Sequence, residues 1–171
     1  RPWPNSGANR EKGYKGFMNI IDTVEGKLDY VVNLHKKNSA TLGFIPKPSL
    51  KSLIENGQVF IQSDGGDNAG YIAVGNGKRD GVLRVYQACV DQDLRRLTFG
   101  KQLFKKVIKF GLHHDCERIF LRCRENLKSN LFWQGIGCDF LYLDEKHTQR
   151  TKKGVNVWQY KLSDKKQMDL F

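Results

Sequence analysis

Between Gln58 and His113 the sequence changes its hydrophobic period once, and the residues at that change limit what the chain can become. QVFIQ (58–62), AGYIAV (69–74) and VLRVYQACV (82–90) are β-branched and aromatic runs, the composition of half-buried strands. Asp64-Gly65-Gly66-Asp67 separates the first two, and a Gly- and Asp-containing stretch from Gly75 to Gly81 separates the second and third. Both are hairpin chemistry, so the three runs predict an antiparallel meander. From Thr98 to His113 the spacing switches: Leu103, Phe104, Val107, Ile108 and Leu112 recur at three- and four-residue steps. That is an amphipathic helix whose other face carries Lys101, Lys105, Lys106 and Lys109. A buried strand therefore feeds, through a short polar turn, straight into the mouth of a long helix.

The rest of the chain fits one domain around that unit. Its 171 residues are 39% apolar and 27% charged, enough for a single core and too few for two of ordinary size. Residues 1–16, rich in Pro, Gly, Asn and charge, read as a basic arm or linker. The domain is expected over 17–162, and 163–171 reads as a flexible tail. Phe17 opens a strand-like run, FMNIIDT, and LDYVVNLHKK then sets Leu28, Val31, Val32 and Leu34 near one helix face. Phe44-Ile45-Pro46 breaks the pattern, and a second short helix runs from Pro48 through Leu53 and Ile54 to a stop at Gly57. RIFLRC is a strand, SNLFWQGIG a short helix, and FLYL and VNVWQYKL are strands around the basic loop EKHTQRTKKG. Helices interrupting a strand series predict an α/β (α+β) domain with a mixed, mostly antiparallel sheet.

Composition narrows the setting. Mean hydropathy is −0.56 and no run approaches eighteen apolar residues, which excludes a membrane-spanning helix. Lys and Arg number 29 against 18 Asp and Glu, a net charge of +11, which favours polyanionic partners, nucleic acid among them. Cys89, Cys116, Cys123 and Cys138 show neither C-x-x-C nor paired spacing, so no metal is expected, and reduced thiols point to the cytoplasm. The start at Arg1 instead of Met is what a piece of a longer protein would show.

Chemistry concentrates at the strand-to-helix turn. A helix beginning near Thr98 presents unpaired N–H groups and about half a positive charge, and Arg95, Arg96 and Lys101 add full charges beside it. The arrangement suits a pyrophosphate, and it equally describes an ordinary turn with solvated arginines.

CVDQDLRRLTFGKQL (89–103) resembles the cofactor-binding motif of the GNAT superfamily of acyltransferases: Arg or Gln, two residues, Gly, one residue, then Gly or Ala. Arg95 holds the first place and Gly100 the last, with Thr98 where the first glycine is usual. Downstream, Asn126, Ser129, Phe132, Trp133 and Gly137 match the family's pattern of Asn, small residue, aromatic pair and Gly. The resemblance covers roughly residues 17 to 162. It implies a GNAT-like domain holding acetyl-CoA, or another acyl-CoA, between two splayed parallel strands. The pyrophosphate would lie on the turn at Arg95, Arg96, Leu97, Thr98, Phe99, Gly100 and Lys101. Backbone amides near Cys89 and Val90 would meet the pantetheine arm and polarise the thioester carbonyl, and Asn126 and Phe132 would flank it.

The implied activity is N-acetyl transfer to a primary amine, with an acceptor that is macromolecular or associated with nucleic acid. The amine must be neutral to attack, so a base removes its proton and an acid returns one to the sulfur. The family often uses a tyrosine as acid where this chain has Trp133, whose indole cannot serve. Glu125, Tyr86 and His35 are the foremost remaining proton carriers, with Cys89 and Cys123 behind them as core residues by type. The Thr98 and Trp133 departures favour an alternative: a catalytically silent GNAT-like module docking on DNA or a sliding clamp. A toxin acetylating charged tRNA and a phage-type DNA base modifier are weaker alternatives. The last five residues, Gln167, Met168, Asp169, Leu170 and Phe171, resemble the peptide by which bacterial DNA-processing proteins attach to the sliding clamp, and a frayed tail explains them equally. Trp3, Trp133 and Trp158 are candidate stacking platforms for bases, with core packing the simpler account.

Overall fold

The computed structural model describes residues 22–76, 81–95, 98–145 and 153–162. The arm over 1–16, most of the strand expected from Phe17, Trp3, Arg96, Leu97 and the whole tail with Gln167–Phe171 lie outside the described residues.

Helix α1 (Val24–Lys37) starts where Thr23 accepts a hydrogen bond from the Gly26 amide at 2.9 Å, an N-cap that satisfies one orphan donor. The run FMNIIDT was expected to be a strand; its last residue, Thr23, instead caps a helix. Helix α2 (Lys47–Glu55) carries Pro48 in its first turn, and Gly57 follows it at φ 69°, where a side chain would be strained. Strands β1 (Val59–Asp64), β2 (Asp67–Asn76) and β3 (Val82–Val90) form the meander. Helix α3 (Phe99–His113), strand β4 (Arg118–Arg124), helix α4 (Ser129–Gly135), and strands β5 (Asp139–Asp144) and β6 (Val155–Lys161) complete the order.

The six strands lie in the order β1-β2-β3-β4-β6-β5. Every neighbouring pair is antiparallel except β3 and β4. Each face of the sheet has its own core. On one, α3 and α4 bury Leu103, Phe104, Val107 and Trp133 against Ile72, Leu83, Ile119, Leu121 and Trp158. On the other, α1 and α2 bury Leu28, Val31, Leu34, Leu50 and Ile54 against Val59, Tyr71, Ala73 and Cys89. Full burial of such a side chain contributes about 1.5–3 kcal/mol, so each helix pair is held by its apolar stripe more than by its caps. Trp133 and Trp158 are both buried core residues and offer no stacking platform.

The parallel contact is short. Val82 to Val85 pair with Arg118 to Leu121, and there the ladder stops. At the same level β3 is bulged against β2: Gln87 faces Ala73 and Val85 faces Val74, leaving Tyr86 as the extra residue. A bulge bends its strand and steepens the local twist, so β3 turns away from β4. β4 itself continues alongside β6 to Arg124. The result is a wedge-shaped gap in mid-sheet, between Tyr86–Val90 on one side and Arg122–Arg124 on the other, the splay that the resemblance implies.

Beyond the bulge, β2 and β3 approach so closely that a Cβ on Gly70 would stand 2.5 Å from the Cys89 carbonyl oxygen and 2.9 Å from the Val90 Cα. Backbone cannot yield there. Gly70→Val is expected to cost about 2 kcal/mol or more through this overlap, read as a lowered urea midpoint; an unchanged midpoint would mean that the strands part freely.

Candidate active site

The helix mouth lies at one edge of the gap. Thr98 holds the cap position of α3 in right-handed conformation (φ −77°, ψ 0°) without bonding a helix amide through its side chain. A glycine's freedom is therefore not needed at that place. The Thr98 Oγ1 accepts from Gln102 Nε2 at 3.2 Å, which leaves its own hydrogen to donate outward. The amides of Phe99, Gly100 and Lys101 begin the helix and have no intrahelical acceptor; the first turn carries no acidic residue. A Cβ on Gly100 would come within 2.9 Å of the Phe132 ring. Its absence lets α4 dock on the first turn of α3, and this contact joins the two sequence motifs. Arg95 is exposed and donates from Nε to the Val90 carbonyl at 3.1 Å and from Nη2 to Asn38 Oδ1 at 2.6 Å.

The backbone alternation of β3 decides which groups face the gap. Asp91 N–H donates to the Ala69 carbonyl at 2.8 Å, so residues 69 and 91 are a hydrogen-bonded pair. Two residues back, Cys89 shares its backbone groups with Tyr71. Ala88 and Val90 therefore turn theirs toward β4, where the parallel ladder has already ended. Arg95 occupies the Val90 carbonyl, and the Val90 amide and both groups of Ala88 remain for a ligand. Ala88 was not among the sequence candidates; the register of β2 on β3 is the signal that finds it. Cys89 turns its backbone away from the gap, and burial pushes its thiol up to about 11 against the pull of Arg95. It is no base at neutral pH.

The three proton-carrier candidates are not brought together. The Tyr86 ring, 42% exposed, lies over Gly75, and its hydroxyl is 3.5 Å from the Asn76 carbonyl, toward the far end of the hairpin. Glu125 clamps the start of β6: its Oε1 accepts from the Gly154 amide at 2.9 Å while its own amide donates to the Gly154 carbonyl at 3.0 Å. His35, on the last turn of α1, has Nε2 at 3.2 Å from the Gly43 carbonyl. Trp133 packs edge-on against Phe104 and Phe132, with centroids 5.9 and 4.9 Å away. Cys123 is buried on β4 with Sγ 3.1 Å from Ser129 Oγ, and burial raises its pKa.

On the face opposite α3, the connection between α1 and α2 spans the gap. It is held from both sides. Arg95, just past β3, reaches Asn38; Gln87 on β3 donates from Nε2 to the Gly43 carbonyl; Arg124, at the end of β4, donates to the Ala40 carbonyl. Gln87 is itself buried and accepts from the Tyr71 hydroxyl at 2.8 Å. Among the described residues, no group of three or more His, Cys, Asp or Glu could hold a metal, and no helix is long and apolar enough to cross a membrane.

Asn126 lies exposed in the turn after β4. The organising residue of this segment is Asn130. Its Nδ2 donates to the carbonyls of Arg124 at 2.8 Å and Leu127 at 2.9 Å, and its Oδ1 accepts from Asn156 Nδ2 and Trp158 Nε1, both at 3.0 Å. It ties the end of β4 to α4 and β6. Asn130→Ala leaves the Trp158 indole N–H unsatisfied in the core and is expected to cost about 1–3 kcal/mol, measured by urea denaturation. A variant as stable as the parent would show that water replaces the amide.

The match to known proteins agrees with this geometry. Residues 30–137, well over half of the chain, match the model of the acetyltransferase (GNAT) family. A sequence search of curated proteins finds no significant match. Among solved structures the chain resembles Ard1 from Thermoplasma volcanium (13% identity, 80% of this chain and 91% of that one, TM-score 0.66). It also resembles an aminoglycoside 6'-N-acetyltransferase complexed with coenzyme A (10%, 79% and 90%, 0.66). A third likeness is to the ribosomal-protein-S18-alanine N-acetyltransferase from Escherichia coli (14%, 80% and 88%, 0.60). The wedge between β3 and β4, the uncapped helix beside it and the family match together place this chain in the GNAT family of acetyltransferases.

Proposed function

We propose that the chain transfers an acetyl group from acetyl-CoA, or another acyl group from its CoA ester, to a primary amine. The observation that carries the reading is the parting of β3 from β4 after Val85 and Leu121, with the backbone of Ala88 and Val90 turned into the gap. The residues fit the group. A pantetheine arm is a chain of amides, and the free Val90 N–H and Ala88 groups would continue on it the ladder that β4 abandons. The first-turn amides of α3, the Thr98 hydroxyl and Lys101 would hold the pyrophosphate with hydrogen bonds and positive charge. When bound, the thioester supplies an activated acyl carbon. The acceptors named for two of the similar structures are amines, an aminoglycoside and a ribosomal-protein alanine, which supports an amine here.

With the helix mouth on one face, the acceptor enters from the other, beneath the connection between α1 and α2. His35 is the proton carrier on that side. A neutral imidazole carries a ring nitrogen that can accept the amine's proton. Glu125 is occupied by the Gly154 amide and Tyr86 leans toward the far end of its hairpin, so neither is as well stationed.

Acetyl-CoA in millimolar excess is expected to raise the melting temperature by several degrees, since a ligand at a hundred times its Kd stabilises by about 2.7 kcal/mol. It should also slow hydrogen exchange at residues 98–101. The absence of both would overturn the reading. His35→Gln is expected to lower kcat about 10²-fold while the thermal shift with acetyl-CoA persists; an unaltered kcat would exclude His35.

A further inference from the structure

We infer that the acceptor amine carries an oxyanion beside it, a carboxylate or a phosphate, and that Arg124 is the residue that grips it. The inference rests on the acyl-transfer reading above and concerns its substrate. Two arginines converge from opposite walls of the gap on the short segment Asn38–Ala40: Arg95 from beyond β3 and Arg124 from the end of β4. Their partners are neutral, an amide oxygen and backbone carbonyls. The ion pairs found among the described residues are Lys51 with Glu25 and Arg122 with Asp144. Neither neutralises this pair.

Three carboxylates close to these arginines in sequence or strand register have other tasks. Asp144 is bound to Arg122, Glu125 holds the Gly154 amide, and Asp91 accepts from the Asp93 amide. Lys36 and Lys37 close α1 immediately before the same segment and add to the positive potential. Helix-dipole contact accounts for those two without a ligand; it does not account for Arg124, which is on a strand.

Position selects Arg124 over Arg95. Cys123 faces the α3–α4 core, and strand alternation turns Arg122 and Arg124 to the opposite face, the side from which an acceptor enters. Arg95 uses two nitrogens on Val90 and Asn38, whereas Arg124 uses Nη2 on Ala40 and has the remaining N–H groups of its planar fork for a further oxygen acceptor. A guanidinium fork matches a carboxylate or phosphate with two parallel hydrogen bonds. An acceptor bearing only positive charge meets repulsion at this mouth; one with an anion near its amine is drawn in and oriented.

The test begins with the acetyl-CoA thermal shift, whose absence would remove the catalytic reading and this one with it. Given the shift, CoA release is measured with matched acceptors, glycine against glycinamide and phosphoethanolamine against ethanolamine, each rate referred to the concentration of neutral amine. The anionic member of at least one pair is expected to give a kcat/KM tenfold or more above its neutral partner, and whichever pair shows it identifies the anion. Arg124→Gln is expected to bring that ratio within twofold of unity through KM, and Arg124→Lys to restore part of it, with the acetyl-CoA shift retained in both. A purely structural pin would lower the rates with charged and neutral acceptors alike and leave the ratio intact. That result overturns the inference, as does a preference for the neutral members or failure of every anionic member to react with protein that binds acetyl-CoA.

Discussion

Four rungs of parallel pairing hold the two halves of this sheet together, and everything functional follows from their stopping where they do. Val85 and Leu121 are the last partners. One residue later β3 is bulged, and a strand carrying an extra residue on one edge must bend. Past that point β3 keeps its full ladder with β2, and β4 keeps its full ladder with β6, so neither strand is left without support. Only the facing edges lose their partners. Unpaired backbone groups in mid-sheet are costly when buried, so a gap lined by them is suited to a ligand or water that completes it.

The two faces of the gap have different owners. Helix α3 brings an uncapped first turn to one face, and its approach depends on Gly100 making room for Phe132. The other face belongs to the α1–α2 connection, held by Gln87, Arg95 and Arg124. Those three side chains come from both walls of the gap, so the same contacts that fix the connection also fix the width of the opening beneath it.

Much of this was legible in the sequence, and the limits have physical causes. Period alone located the meander, the long helix and the short one at Ser129, because each has an apolar face that must be buried. The turn from Arg95 to Gly100 drew attention through its resemblance to a family motif, and the strand-to-helix junction through the change of period. The cap at Thr23 was not legible, since it stands at the end of a run of β-branched and apolar residues and nothing in that pattern marks its hydroxyl as a helix cap. Ala88 was invisible because its part is played by main-chain atoms, selected by register and not by side chain. Asn130 was overlooked in favour of Asn126, four residues earlier on the same turn of chain; nothing in their spacing says which amide will find Trp158 and Asn156. The charge of Arg124 was plain to read, but its partner is a carbonyl 84 positions away.

The order in which the strands sit has a bearing on how the protein is made. β4 has only a brief contact with β3, and its full-length neighbour is β6, which is synthesised after β5 and about thirty residues behind β4. On a ribosome, β1 to β3 and their helices can collapse early, while β4 and β5 wait with open edges for a strand that has not yet emerged. The wall that carries Arg124 is thus among the last of the described parts to be fastened.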